Sequence, residues 1–358
     1  MIIASSTPPV GSTLDLAAQH TAIRTRTAIA RTGQTRIVRL RGEGARDAAL
    51  WLLPSRLHLR DAQARQSLLL DETGRPLADV VVAADDEDYL LLIDGPGDPV
   101  AHVRANARGD VRVEVEDATH EVIDVHGPWA WELVSEVLGS DLLALPYLNF
   151  FRMDEGICVR AGRTGEFGYH LLVQRDTAEA VMARFFERGK ELELAEVGAE
   201  AVAIAGFENW FFDARHVPEG ATPVELSLSW RLATDRDFLG RDAIEKRRAS
   251  PGPRQACAIA SDEVRTGERV SLEGRDVGVI TRAAYSPSRQ SWFASALLEP
   301  RLVCAGIELA GAAGATLRTI APPLVDNQSL YIDPRRHTYR ARDEVRFGAP
   351  PPPTLVAP

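Results

Sequence analysis

The chain has 358 residues, too many for one compact core, so two or three domains are expected. Hydrophobic residues make up 45% and charged residues 26%, as in soluble globular proteins, and the net charge of -10 argues against a broad nucleic-acid surface or an anionic membrane as partner. Cys158, Cys257 and Cys304 lie far apart, without metal-ligand or redox spacing, so no metal and a reducing, cytoplasmic setting are expected. Cys158 and Cys304 stand in apolar surroundings and read as small core residues. No segment reads as a secretion signal or a membrane span.

Residues 1–20 read as a loose arm. Residues 35–40 alternate polar and apolar as a strand does, and 44–53 read as a short helix ended by Pro54. Apolar runs at 67–70, 80–82 and 89–93, separated by the polar turns 71–74 and 85–88, imply an antiparallel sheet. Asp98 and Pro99 open a helix as N-cap and first-turn proline. Strands at 111–116 and 121–125 precede a helix over 128–138. Strands follow near 157–160 and 169–173. Asp176-Thr177-Ala178-Glu179 has the form of a capping box, before a helix with Val181, Met182, Phe185 and Phe186 on one face. A further helix spans 195–208. This order suggests α+β architecture, without regular βαβ alternation. Ser250-Pro251-Gly252-Pro253 marks a linker. Beyond it, six short strands between 256 and 320 fit a small barrel. The expected division is 1–250 as two α+β lobes meeting near 125, 251–330 as the barrel, and 331–358 as an extended tail.

The densest motif is Gly162-Arg163-Thr164-Gly165-Glu166-Phe167-Gly168-Tyr169-His170-Leu171. Three glycines around a threonine and a glutamate mark sharp turns or close backbone approach. The stretch resembles the glycine-threonine-glycine-glutamate signature of the T-protein of the glycine cleavage system, the folate-dependent aminomethyltransferase family. Further matches follow in order: 74–82 around Asp79, Gly127-Pro128, 222–230, 237–243, 277–281 and 285–288. The resemblance implies a three-part ring of two α+β lobes and a C-terminal β-barrel around a folate channel.

It also implies a tetrahydrofolate site. Asp79 is then the catalytic carboxylate, although Ala78 stands where the family also carries aspartate. Glu166, Tyr169, His170, Glu208 and Trp230 are the implied cofactor-binding residues. A second reading stands beside four of these residues: Asp79 starts a strand and bonds nearby backbone, Glu166 supports the glycine loop, Tyr169 sits in the core, and His170 bonds backbone. His170 is the sharpest departure, because the family places there a glutamate that grips the pterin. Histidine offers at most one acceptor where a carboxylate offers paired ones. Asn209, Trp210 and Phe211 replace small residues and Gly206 replaces an arginine, so these aromatics either reshape the substrate pocket or pack between lobes. His126 either touches ligand or is structural.

The resemblance thus implies a folate-dependent one-carbon transferase acting on a small N-, O- or S-linked donor, in the manner of a demethylase or aminomethyltransferase. The alternatives are an enzyme of specialised metabolism with altered or lost folate dependence, and a non-catalytic folate-binding assembly factor. The lysine-glycine-cysteine-tyrosine signature of that last branch is missing. No nucleic acid or membrane partner is expected, and the oligomeric state is left open.

Overall fold

The computed structural model describes residues 14–139, 145–250 and 252–348. The first lobe is a five-stranded antiparallel sheet in the order Ala64–Leu70, Pro76–Asp85, Asp88–Asp94, Arg36–Arg41, Arg112–Val115. The second is a six-stranded sheet in the order Ala195–Glu196, Ala28–Ala30, His120–His126, Gly168–Gln174, Gly156–Val159, Phe150–Met153. Six strands between Arg254 and Ile320 close a barrel.

The two sheets pack face to face. In the first lobe Val80, Val82, Leu91 and Ile93 point to the helices Ala45–Leu52 and Pro99–Asn106, whereas Val81, Ala83, Leu90 and Leu92 point to the second lobe. Burial on both faces is why these strands read as unbroken apolar runs. In the second lobe Ile123, Val125, Tyr169, Leu171 and Val173 pack under the helices Ala130–Leu138 and Ala178–Gly189, and Val122 and Leu172 meet the first lobe. Side chains alternate along a strand. Asp79, Asp94, Asp124, His126 and His170 therefore fall on the inter-lobe face, at the end where its apolar residues stop.

The barrel joins the lobes through Phe207 of the helix Ala199–Glu208, whose ring lies 4.3 Å from that of Phe293. Phe293 points outward because Ala294, Ala296 and Leu298 fill the barrel core. No helix of the described residues is long and apolar enough to cross a membrane.

Five expectations are corrected. The N-terminal arm contains a helix, Leu16–Thr25, capped by Asp15 on the Ala18 amide at 2.7 Å. The helix expected from 195 starts at Ala199, and Ala195–Glu196 is instead a strand parallel to Ala28–Ala30. The segment after 330 is no free tail: Ile332, Tyr339 and Val345 enter the second lobe's core, with Tyr339 edge-on to Trp129 at 5.8 Å. Cys158 is buried in that core, whereas Cys304 is exposed. The capping box is also incomplete, since Thr177 makes no side-chain bond to the helix and donates to the Gln174 carbonyl at 3.1 Å. Pro251 and the proline run 350–353 lie outside the described residues.

Because Tyr339 fills a core site from outside the lobe's own sheet, Tyr339→Ala should destabilise the protein by about 3–5 kcal/mol, the usual cost of deleting a buried aromatic ring. Urea unfolding measures this, and a change below about 1 kcal/mol would mean that the segment contributes nothing to the core.

Candidate functional site

The glycine loop brings the site together. A Cβ on Gly162 would meet the Gly168 backbone at 2.8 Å, so the two ends of the loop touch. Gly165 has φ +85° and its Cβ would fall 2.4 Å from the Asn209 side chain. The loop can therefore fold tightly over the segment that follows the helix Ala199–Glu208. Gly206 belongs to the same approach, since its Cβ would lie 2.6 Å from the Arg163 carbonyl oxygen.

The loop's carboxylate is committed to the C-terminal segment. Glu166 accepts from the Gln328 amide at 3.2 Å, the Ser329 amide at 2.9 Å and the Ser329 hydroxyl, fastening the C-terminal segment. Glu208 is fully buried. It accepts from His20 Nε2 at 2.8 Å, from Arg24 at 2.7 and 3.1 Å, and from Ser286 Oγ. Burial works against its charge, yet the His20 hydrogen bond and the Arg24 guanidinium hold the carboxyl below its usual range. Arg24 also donates to the Thr164 and Ala205 carbonyls and to Asn327 Oδ1.

Three cavities meet at Phe211. One, about 60 Å³, is lined by Asp94, Asp124, His126, Arg163, His170 and Phe211, among others. The second, about 160 Å³, is walled by Phe207, Trp210, Phe211, Phe212, Arg231 and Arg282. The third, about 310 Å³, opens beside Tyr147, Arg160 and Glu166.

The electrostatics of the first cavity are specific. Arg163 donates to Asp94 and lies 3.8 Å from Asp79. His170 Nδ1 lies 2.6 Å from Asp124 Oδ1. Burial opposes the charge of Asp124, but His170, His126 and Arg163 outweigh it and hold its carboxyl below the usual range. Burial pushes His126 down to about 4, with Asp124 opposing, and both of its ring nitrogens lack a hydrogen-bond partner. Neutral His126 thus presents one unused donor and one unused acceptor.

The sequence-expected residues divide. His170, Trp210 and Phe211 line cavities. Trp230 stands at the mouth of the second cavity and is 73% exposed. Asp79 is buried behind the cavity wall, its Oδ1 held by Arg231 at 2.8 Å. Tyr169 is packed in the second lobe's core, so its placement is that of a core residue. Asn209 is a tie, donating to Thr164 and Ala205 carbonyls and accepting from Asn327 at 2.6 Å. Glu166 and Glu208 likewise spend their oxygens on protein groups. Sequence reasoning missed Asp94, Asp124, Arg163, Arg231 and Arg282. Arg163 lies inside the glycine signature, and Asp124 shares strand parity with His126, so two of the five had a local signal. Among the described residues no cluster of three or more His, Cys, Asp or Glu is suited to a metal.

The model of the GCVT N-terminal domain matches residues 12–236. The chain belongs to this family. An aminomethyltransferase of Synechococcus sp. (strain CC9311) is 27% identical over 319 residues, covering 82% of this chain and 85% of the relative. An aminomethyltransferase of Clostridium botulinum (strain Loch Maree / Type A3) is 25% identical over 265 residues, covering 70% and 72%. The glycine cleavage system aminomethyltransferase T from Bartonella henselae has the same fold, with a TM-score of 0.80 over 90% of this chain and 93% of that one at 19% identity. The expected ring of two α+β lobes and a barrel is the observed architecture.

Two outcomes follow from these environments. Glu208→Ala leaves Arg24 and His20 without their shared carboxylate in the interior, and should cost about 3–5 kcal/mol in urea unfolding. His126 protonates near 4 in the fold, against about 6.5 in an unfolded chain, so the unfolded state binds more protons between those values. Its contribution to stability is complete above about 6.5 and is lost as pH falls toward 4. An NMR titration should find the His126 ring neutral down to about pH 4, and a midpoint near 6.5 would contradict the burial argument.

Proposed function

We propose that this protein is a tetrahydrofolate-dependent one-carbon transferase, moving a methyl or methylene group between a small N-, O- or S-linked donor and the folate. The observation that carries the reading is the polar end of the inter-lobe face. There, buried His126 has two unpartnered ring nitrogens, and Arg163 and His170 line the same cavity. Such unmet hydrogen-bonding capacity costs stability unless a ligand or water uses it. It suits a flat ring system with donors and acceptors on its edge, and Phe207, Phe211 and Phe212 supply apolar surface beside it. These residues fit the pterin of tetrahydrofolate: His126, His170, Arg163 and Asp94 would hold its polar edge. When bound, tetrahydrofolate supplies the nitrogens that carry a one-carbon unit.

The donor is small. The cavity next to the polar one measures about 160 Å³ and is walled largely by aromatic rings, which fits a compact or aromatic donor. The bulk of Trp210 and Phe211 argues against a long protein-borne arm reaching the centre. Arg231 lines this cavity with its buried Nε unpartnered, so it offers one donor to an acceptor on the donor molecule. The aminomethyltransferase relatives support one-carbon transfer as the reaction class. Asp79 contributes by orienting Arg231 toward the donor. Free thiols at Cys158, Cys257 and Cys304 support a cytoplasmic setting.

Calorimetry with tetrahydrofolate under anaerobic, reducing conditions tests this reading. Saturable one-to-one binding is expected, and Arg163→Ala should weaken it about tenfold, or ~1.4 kcal/mol. A donor screen by formation of methylated or methylene folate then identifies the substrate. Absence of binding by the native chain, with recovery in His170→Glu, would mean that the site has been turned to another cofactor.

A further inference from the structure

We propose that His170 is the proton acceptor of this site and that Asp124 positions it, an inference that rests on the one-carbon transfer reading. The two residues are direct cross-strand partners between His120–His126 and Gly168–Gln174, and both stand on the inter-lobe face. His170 Nδ1 meets Asp124 Oδ1 at 2.6 Å. A carboxylate only accepts, so this contact places the proton on Nδ1 and the lone pair on Nε2. Nε2 makes no hydrogen bond to any described residue, and the side chain lines the cavity. The Asp124 carboxylate has no other hydrogen-bond partner among the described residues, so its one hydrogen bond goes to the imidazole. That arrangement orients a histidine base and stabilises the imidazolium once it forms.

The surroundings match the role. Facing the same cavity are His126 from the strand of Asp124, Arg163 from the glycine loop, Asp94 from the first lobe, Asp213 and Arg215 from the loop after the aromatic segment, and Arg282 from the barrel. The three arginines balance the three aspartates, counting Asp124. A proton arriving on Nε2 is therefore met by the one carboxylate bonded to the ring. Asp79 is committed to Arg231 and stands behind the wall, and of the two histidines that line the cavity it is His170 that has a carboxylate bonded to its ring.

The proton balance closes without a further reagent. Methyl transfer from heteroatom X of the donor breaks the carbon–X bond and forms a carbon–nitrogen bond on the folate. The proton displaced from that nitrogen passes to His170 Nε2, and the imidazolium returns it to X. The donor leaves as X–H, and the dyad ends as it began.

The test uses the full-length protein and two readouts. Diethyl pyrocarbonate, which acylates unprotonated imidazole, is applied between about pH 5 and 9, and modification of each histidine is followed by peptide mass spectrometry. Tetrahydrofolate binding is measured by calorimetry over the same range. His170 should react, tetrahydrofolate should protect it, and the isosteric Asp124→Asn should slow its reaction about tenfold, a difference of ~1.4 kcal/mol. Native binding should weaken toward acid, and His170→Gln should flatten that dependence. Equal His170 reactivity in the native protein and Asp124→Asn, or an unchanged acid limb in His170→Gln, overturns the dyad while leaving folate binding intact. No binding by the native chain at any pH, with Asp124-dependent reactivity retained, overturns the folate reading and leaves the dyad as the base of a site for another ligand.

Discussion

The ring closes on one buried ion pair. The carboxylate of Glu208 lies in the interior, where an unpaired charge would be prohibitive. Arg24 and His20 reach it from the N-terminal helix and Ser286 from the barrel, while Arg24 extends to Thr164 in the glycine loop and Asn327 in the C-terminal segment. Elements more than a hundred residues apart in sequence must all be in place before these donors and acceptors are satisfied. A half-made network costs more than none, so the arrangement favours one assembly of the lobes and barrel over looser ones. The loop and helix that border the cavities are thus fixed by charges that do not face them.

That division explains the character of the cleft. Two sheets meet through an apolar face, and the face ends in Asp79, Asp94, Asp124, His126 and His170. Asp79 and Asp94 are themselves cross-strand partners, a like-charged pair that Arg163 and Arg231 make tolerable. As a result both carboxylates are ion-paired. Both ring nitrogens of buried His126 are left without partners among the described residues. A site of this kind is preorganised: its polar groups are already desolvated and held by rigid strands before any ligand arrives.

Much of this was legible in the sequence, and the exceptions have physical reasons. The five strands of the first sheet, three of the six in the second and the short, evenly spaced strands of the barrel were legible, whereas Ala28–Ala30, Phe150–Met153 and Ala195–Glu196 were not. The N-terminal helix was hidden because Gln19, His20 and Arg24 are among its buried residues, so its inward face is polar. The last packed segment was hidden for a related reason: Ile332, Tyr339 and Val345 are too sparse for a period, and each fills a gap left by another part of the chain. At the site, family resemblance drew attention to Glu166, Glu208 and Asp79. Their partners lie between 78 and 188 residues away, at distances no local pattern encodes. Gly206 looked like the loss of an arginine. In three dimensions it is also the condition for the helix to pass beneath the glycine loop, because any side chain there would strike the Arg163 carbonyl.

The same bookkeeping of charges separates structural acids from chemical ones. Glu166 is engaged by the Gln328 and Ser329 amides, Glu208 by Arg24 and His20, and Asp79 by Arg231. Carboxylates committed in this way act as fasteners, because letting go would leave the buried partners that they hold without an acceptor. Basicity is then left to groups whose pairing survives a change of charge. An imidazole bonded to a carboxylate through one nitrogen satisfies that requirement, since protonating the other nitrogen strengthens the existing bond. In this fold only the position across from Asp124, on the face shared by the two lobes, combines such a partner with an open side toward a cavity among the described residues. His170 occupies it.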